Sequence, residues 1–409
     1  MDKYPEGLQG LDTASFSNAN YPSCVFLLER AGTFSYERFA YNALRIGVEA
    51  LNAKGFTDQI SVDFSLGLDR QQPWTLNAEI ATIGDSEGQD GYRIRTSPFT
   101  PLVLHGISYQ VGNKLLDLEI LVQWLSEPDK FSEEIRSIAQ VIQRAVKGYR
   151  NNSLGESLNT LIEGFELNLE NIYKSVDDFD VTVKFIVMHE VAHAYVNQFE
   201  YMSEGIPKQD FRAFEYVADL VATSWLYSGI IVNTPDSEGY RKTRGFSSHE
   251  ESIRENTIWV LRSQLIVLIF LALASAIREK GKVSMEGGML HPHTYLRYMM
   301  QQNHFMTLVL SNYKGSFNSE QIETVDKLWQ EALKLFTITG LVPTDELNAI
   351  FDDDKFSDIR RAGVIAEKLD IPELRGAHKF LEQLKAFRPN STADLETQNF
   401  TEQSGTEYY

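Results

Sequence analysis

The chain has 409 residues, of which 43% are hydrophobic and 23% are charged, and this composition is typical of a folded globular protein rather than a disordered one. Its formal net charge of −19, from 57 acidic against 38 basic residues, argues against binding to nucleic acid or to an anionic membrane surface. The single cysteine, Cys24, excludes an intrachain disulfide and a zinc site built from several cysteines.

The N-terminal part of the chain predicts a small region that mixes helix and strand. Residues 1 to about 30 contain no apolar segment of the secretory kind, so a cytoplasmic location is expected. A helix is predicted from Ser35 to Lys54, because Gly55 follows as a stop signal. Strands are predicted where residues alternate with period two, at 60–66, 74–83 and 92–96, with a further strand or extended arm at 101–111. This sheet could bind an extended peptide as an added strand, or it could be plain scaffold.

Helical periodicity dominates from Lys114 onward. Three helices are predicted before the central motif of the chain. They cover residues 114–126, 132–149 and 158–176.

The most informative motif is His189-Glu190-Val191-Ala192-His193, which has the pattern H-E-x-x-H. A helix is predicted from Val181 to Tyr195 with Asp180 as its N-cap, because this stretch contains no Gly or Pro and its apolar residues recur at helical spacing. Residues four apart share one face of a helix, so both imidazoles can reach one metal ion. Imidazole suits Zn²⁺, which lowers the pKa of its water to about 7 when one position stays open, and Glu190 is near enough to hold that water. The alternative is a helix with two histidines and no metal.

Two acids four residues apart, Glu215 and Asp219, lie on a second predicted helix that begins near Asp210 and ends near Gly229. Their face is otherwise small and apolar, and acids rarely face a core unless they are paired or bind a metal. We therefore predict Glu215 as the third zinc ligand. Asp219 is predicted to accept the free N–H of a ligating histidine and so to fix its tautomer. The alternative is an ordinary solvated acidic face.

The next segment, residues 233–250, is polar and rich in Pro, Gly and Ser, which predicts a long loop that acts as a lid or is an inert surface feature. A helix over 253–280 follows and contains the apolar run from Leu265 to Ile277. A bilayer span needs about 20 apolar residues. We therefore interpret this shorter run as a buried central helix against which the zinc helices pack.

A third element, His291-Pro292-His293-Thr294-Tyr295-Leu296-Arg297, opens a helix predicted to run to Tyr313, since Pro292 fits a first helical turn. His291, His293 or Tyr295 could donate to the oxyanion of a tetrahedral intermediate. Arg297 could pair with Asp219 or with acids near Glu215. The alternative for each is a capping or surface residue.

The C-terminal part predicts shorter helices and a polar tail that is expected to be disordered. The helices are predicted at 319–336, 344–351, 358–369 and 372–386, and the tail at 388–409.

The three motifs together resemble the gluzincin metallopeptidases, most nearly the group of the CaaX prenyl proteases and the heat-shock peptidase HtpX. The resemblance covers residues 181–300. It implies His189, His193 and Glu215 as zinc ligands and Glu190 as general base and acid. It also implies a supporting role for Asp219 and active-site positions for His291 and Arg297. The Lit-type phage-exclusion peptidases also carry H-E-x-x-H, without the several transmembrane helices of the first group, and are a looser parallel.

We therefore predict an α+β, mostly α-helical fold with a zincin-like helical metallopeptidase core over 114–315. An α/β region over 1–113 would precede this core, and a C-terminal helical region over 316–387 would follow it. The predicted function is Zn²⁺-dependent hydrolysis of peptide bonds in a protein or peptide substrate, without nucleic acid or membrane as partner. The rival hypothesis is an inactive peptidase-like module that binds or regulates a partner. The residues select neither a substrate nor an oligomeric state.

Overall fold

A computed structural model describes most of the central part of the chain. The described residues are 37–53, 63–68, 78–84, 90–96, 99–113, 154–196, 208–278, 294–313, 353–369, 371, 373 and 374, with isolated positions between 133 and 145. Most of these residues are helical, and a small strand-bearing region lies near the N-terminus. The predicted class, α+β and mostly α-helical, is confirmed.

The helices are α1 (Glu37–Ala53), α2 (Phe99–Ile107), α3 (Leu154–Gly164), α4 (Leu169–Lys174), α5 (Val176–Tyr195), α6 (Lys208–Leu226), α7 (Glu238–Arg244), α8 (His249–Arg278), α9 (Thr294–Tyr313) and α10 (Asp353–Lys368). The strands are β1 (Asp63–Leu68), β2 (Ala78–Gly84) and β3 (Asp90–Thr96). Two short π-helical turns, Ser108–Asn113 and Tyr227–Val232, continue α2 and α6.

The three strands form one sheet in the order β1-β3-β2. β1 runs parallel to β3, with Asp63 opposite Gly91, and β2 runs antiparallel to β3, with Ala78 opposite Thr96. All three predicted strands are present with shifted ends. β2 is an edge strand of this sheet and packs against α5.

Helix α5 lies at the centre of the described fold, with α1, α6 and α8 packed around it. Almost every side chain from Val181 to Tyr195 is buried, as expected for a helix that is apolar on all sides. α1 comes very close at Gly47, where an added Cβ would lie only 2.6 Å from Cγ1 of Val191. The H-E-x-x-H motif is therefore part of the hydrophobic core rather than of a surface helix.

The start of α5 corrects one sequence prediction. The helix begins at Val176, so Asp180 is not its N-cap but lies inside its second turn. Asp177 and Asp178 occupy the first turn, where negative charge favours the helix dipole. Asp180 instead pairs with Lys184 at 2.7 Å, an i, i+4 contact along the helix surface.

The segment 101–111, predicted as a strand or an extended arm, is also different: it is helical throughout, in α2 and the π-helical turn. Its apolar residues Val103, Leu104 and Ile107 are buried, and His105 stacks on Phe179 of α5 with ring centroids 3.6 Å apart. A short apolar run of this kind has no periodicity that separates strand from buried helix.

The predicted helix over 158–176 is broken in the structure. α3 ends at Gly164, Glu166 takes a left-handed conformation with φ of 52°, and Asn168 caps α4 by accepting from the Asn171 backbone N–H at 3.0 Å. The segment 233–250 is likewise not a continuous loop, because it contains α7. Ser237 caps its start and the left-handed Gly245 its end.

The apolar run in α8 is buried where its side chains are described. Residues 265–270 are all buried, and α8 packs against α5 and α9. Among the helices of the described residues, none has both the length and the hydropathy needed to cross a bilayer. The predicted helices at 114–126, 319–336 and 344–351, most of that at 372–386, and the predicted tail at 388–409 lie outside the described residues.

Candidate metal centre

Two packed helices bring the predicted metal ligands together. α5 carries His189, Glu190 and His193, and α6 carries Glu215 and Asp219. The two histidines are one helical turn apart, so their rings project from the same face of α5. Their rings meet edge to face, with centroids 4.7 Å apart.

His189, His193 and Glu215 form a compact cluster of donor atoms. The two Nε2 atoms are 3.1 Å apart, His189 Nε2 is 3.4 Å from Glu215 Oε2, and His193 Nε2 is 3.5 Å from Glu215 Oε1. Zinc binds nitrogen and oxygen ligands at about 2.0–2.1 Å, so the edges of a tetrahedral zinc site measure about 3.3 Å. The spacing and the chemistry of these three side chains therefore fit a zinc ion and leave one position for a further ligand.

The cluster lies in the protein interior. His189, His193 and Glu215 are 7%, 5% and 8% exposed, and Glu190 is 8% exposed. A solvated acidic face, the alternative considered for Glu215, is excluded by this burial. A buried carboxylate needs a counter-charge, which the histidines and a nearby arginine supply here.

Asp219, fully buried, lies directly behind His189. Its Oδ1 is 2.9 Å from His189 Nδ1 but lies out of line with the ring N–H, so the contact is electrostatic rather than a hydrogen bond. A carboxylate on this side favours a proton on Nδ1 and leaves Nε2 to face Glu215 and His193. Asp219 therefore lies beside the histidine that the sequence analysis paired it with, and its role as acceptor of the ring N–H stays a prediction.

Arg297 of α9 contacts both acids of α6. Its Nε and Nη2 donate to the two carboxylate oxygens of Asp219 at 2.7 and 2.8 Å, and its Nη1 lies 3.2 Å from Glu215 Oε2. The Nη2 atom is also 3.3 Å from Nε2 of His189. Arg297 is 6% exposed, so it is not a surface residue, and the pairing with Asp219 that the sequence suggested is present.

This network shifts the pKa values of its members. Burial disfavours the charge of Asp219, but Arg297 and His189 outweigh burial and lower the pKa of Asp219 to about 2. Burial also disfavours protonated His189, but Asp219 and Glu215 raise the pKa of His189 to about 10. A metal ion binds the neutral ring, so a cation that binds here would displace a proton from His189.

Not every predicted site residue can be placed. His291 and His293 lie outside the described residues, and Tyr295 belongs to the first turn of α9 but its side chain is not described. The oxyanion donor therefore stays a prediction. The segment 233–250, considered as a lid, contacts the other end of α5: Arg244 lies 3.3 Å from Asp177, about 18 Å along the helix axis from His189.

One acid near these helices was missed by the sequence analysis. Glu373 accepts a hydrogen bond from the hydroxyl of Tyr195, which follows His193 by two residues on α5. It also accepts from the indole N–H of Trp225 on α6. No motif surrounds Glu373, and the contact to Tyr195 spans 178 residues, so no local signal marks it.

Comparison with protein families gives a match over the middle of the chain. Residues 175–302 match the family Peptidase U49, a family of Lit-type metallopeptidases. The match covers less than a third of the chain and contains the donor cluster together with Asp219 and Arg297. It indicates a peptidase. No characterised protein and no solved structure matches the chain significantly.

Proposed function

We propose that the protein is a zinc-dependent endopeptidase in which His189, His193 and Glu215 hold the metal and Glu190 is the general base. One observation carries the proposal: two imidazole nitrogens and a carboxylate converge at the spacing of a tetrahedral zinc site, within the stretch that matches a peptidase family. Two histidines and a glutamate are also the ligand set of known catalytic zinc sites.

The chemistry divides between the metal and this chain's own side chains. When bound, zinc acidifies water and polarises the scissile carbonyl. Glu190 takes a proton from the attacking water as its oxygen bonds to the carbonyl carbon, and it then returns that proton to the leaving amine as the C–N bond breaks. The products are a carboxylic acid and an amine, so each proton is accounted for.

The remaining buried charges have positioning roles in this proposal. Asp219 holds the Nδ1 side of His189 and so keeps Nε2 aimed at the cluster. Arg297 neutralises Asp219 and holds it through a bidentate pair, and it also contacts Glu215. In this reading Arg297 acts through the ligands rather than on the substrate.

For the substrate, we propose only its chemical class and one place where it could bind. The substrate is a protein or peptide, and an extended segment of it could pair with β2, which is an edge strand among the described residues and packs against α5. Stabilisation of the oxyanion is assigned to His291, His293 or Tyr295. The family match favours the Lit-type resemblance, while the resemblance to the CaaX prenyl proteases and HtpX stays a prediction.

The test compares wild type with Glu190→Gln and with the matched control Glu170→Gln, a glutamate on the surface of α4. We expect all three proteins to bind zinc in stoichiometric amount, measured by elemental analysis. Mass spectrometry of proteins cut in expressing cells should show cleavage with wild type and with Glu170→Gln. Cleavage should stop with Glu190→Gln and in wild type treated with a chelator.

The rival hypothesis, an inactive binding or regulatory module, makes the opposite prediction. Zinc far below stoichiometric amount, with no gain on adding it back, would favour the module. Equal cleavage by wild type and Glu190→Gln would remove Glu190 from the mechanism.

A further inference from the structure

A segment near the C-terminal end of the described residues packs on the helix that carries Glu215. We call residues 353–369, 371, 373 and 374 the C-terminal brace. It consists of α10 and a short turn after it, and it lies outside the stretch that matches the peptidase family. α10 packs along α6, and Ile371 and Leu374 in the turn are 2% and 3% exposed.

Two ion pairs join the brace to the first part of α6. Arg361 donates to both carboxylate oxygens of Asp210, at 2.8 and 3.0 Å. Arg212 places its Nε 2.9 Å from Asp358 Oδ2, with Nη2 3.3 Å from the other oxygen. Both acids are buried, and Arg212 lies one helical turn before Glu215. Each pair holds a defined geometry, because Asp210 or Asp358 without its arginine would be an uncompensated buried charge, whereas the two arginines are partly exposed.

Glu373 makes a second connection, to the C-terminal ends of both metal helices. The hydroxyl of Tyr195 on α5 donates to its two oxygens at 2.7 and 2.6 Å, and the indole N–H of Trp225 on α6 donates at 3.3 Å. Ser224 Oγ donates to its main-chain carbonyl at 3.2 Å. Tyr195 and Trp225 are 3% and 5% exposed and meet edge to face. One carboxylate thus links the helix of His193 to the helix of Glu215.

We propose that Glu373 is a positioning residue for the metal centre, and that the C-terminal brace holds α6 in the register that brings Glu215 to the two histidines. The inference rests on the proposed zinc site. Glu215 is the single ligand on α6, so its distance to the imidazoles depends on how α6 sits against α5. A metal site tolerates displacements of only about 0.5 Å before its geometry fails. The two ion pairs at the start of α6 and the Trp225–Glu373 hydrogen bond near its end provide that restraint.

The experiment measures zinc affinity of the full chain by competition with a chromophoric chelator, with thermal unfolding of the metal-free protein measured in parallel. Glu373→Ala removes the link, and Tyr195→Phe removes only the hydroxyl that donates to it. Glu373→Gln keeps an acceptor at the same place. The control is Arg262→Gln, which severs a 2.7 Å ion pair between α8 and Asp178 of α5 without touching the brace.

We expect about tenfold weaker zinc binding in Glu373→Ala, in the range typical of residues that support metal ligands. Tyr195→Phe should also weaken zinc binding. Glu373→Gln should recover most of the affinity. Arg262→Gln should lower the melting temperature and leave the affinity unchanged. Substituting Co²⁺ for zinc gives a second readout, since its visible absorption should change in Glu373→Ala and not in Arg262→Gln.

Several results would overturn the proposal. Wild-type affinity in Tyr195→Phe, together with wild-type affinity in whichever Glu373 variants fold, would mean that the brace is only structural. An equal loss in Arg262→Gln would mean that affinity follows stability in general. If wild type itself binds no zinc, or if His193→Ala binds it as well as wild type, the proposed function fails and the brace proposal falls with it.

Discussion

Replacing Arg297 by methionine tests whether the buried charges around His189 form one network. Methionine fills similar space but removes the guanidinium, and with it two hydrogen bonds of 2.7 and 2.8 Å to Asp219 and a 3.2 Å contact to Glu215. Asp219 is fully buried, so its carboxylate would stay in the interior with His189 as its one remaining counter-charge among the described residues. Removing one partner of a buried pair destabilises a protein by about 3–5 kcal/mol, a large part of a total stability of about 5–15 kcal/mol.

The assay is urea unfolding of the metal-free protein at neutral pH, followed by circular dichroism. Arg297→Met should lose about 3–5 kcal/mol. The double variant Asp219→Asn with Arg297→Met should lose about 1–3 kcal/mol less than the two single variants lose together, because no uncompensated carboxylate remains at that position. The stability of Arg297→Lys should lie between those of wild type and Arg297→Met, since lysine keeps the charge but cannot make the bidentate pair. A loss below about 1 kcal/mol in Arg297→Met, or strict additivity in the double variant, would refute the reasoning.

Two further predictions concern the packing and ionisation of α5. Gly47→Ala should destabilise the protein by about 1–3 kcal/mol through overpacking, because the added Cβ would lie 2.6 Å from Val191. The control is Gly239→Ala, whose added Cβ would meet nothing within 4 Å. In thermal unfolding this control should be neutral or slightly stabilising. Burial raises the pKa of Asp178 to about 6 from 3.8, so its contribution to stability is most favourable below pH 4 and declines until about pH 6. Asp178→Asn should therefore gain stability relative to wild type as the pH rises from about 4 to 6, and a constant difference across that range would contradict the assignment.

The ligand cluster could be predicted because its signals are local. His189 and His193 are four residues apart within one uninterrupted helical pattern, so their shared face follows from helix geometry alone. Glu215 and Asp219 stand out as acids on a small apolar face. The meeting of the two helices at one metal was inferred from this acidic pair together with the H-E-x-x-H motif, and the family resemblance implied the same ligands, whereas nothing in either segment specifies how the helices pack.

The errors in the fold prediction arise where local signals compete or are missing. Asp180 is a good capping residue, but Asp177 and Asp178 before it favour the positive end of the helix dipole, and the helix begins a turn earlier, at Val176. The apolar stretch at 101–111 fits a strand or a buried helix equally well, and its packing on Phe179 decides the outcome. Glu373 depends on a partner far away in the chain, so only the three-dimensional structure reveals it.

The burial of α5 has a practical consequence for anyone seeking a minimal catalytic fragment. Its sides are covered by α1 and β2, and α6 is covered by α10, and all of these covering elements lie outside residues 175–302. An excised piece with those limits would expose Val191 and its neighbours to water and would lose the arginine that pairs with Asp210. Such a fragment should aggregate instead of folding, so truncation studies need to retain both flanks.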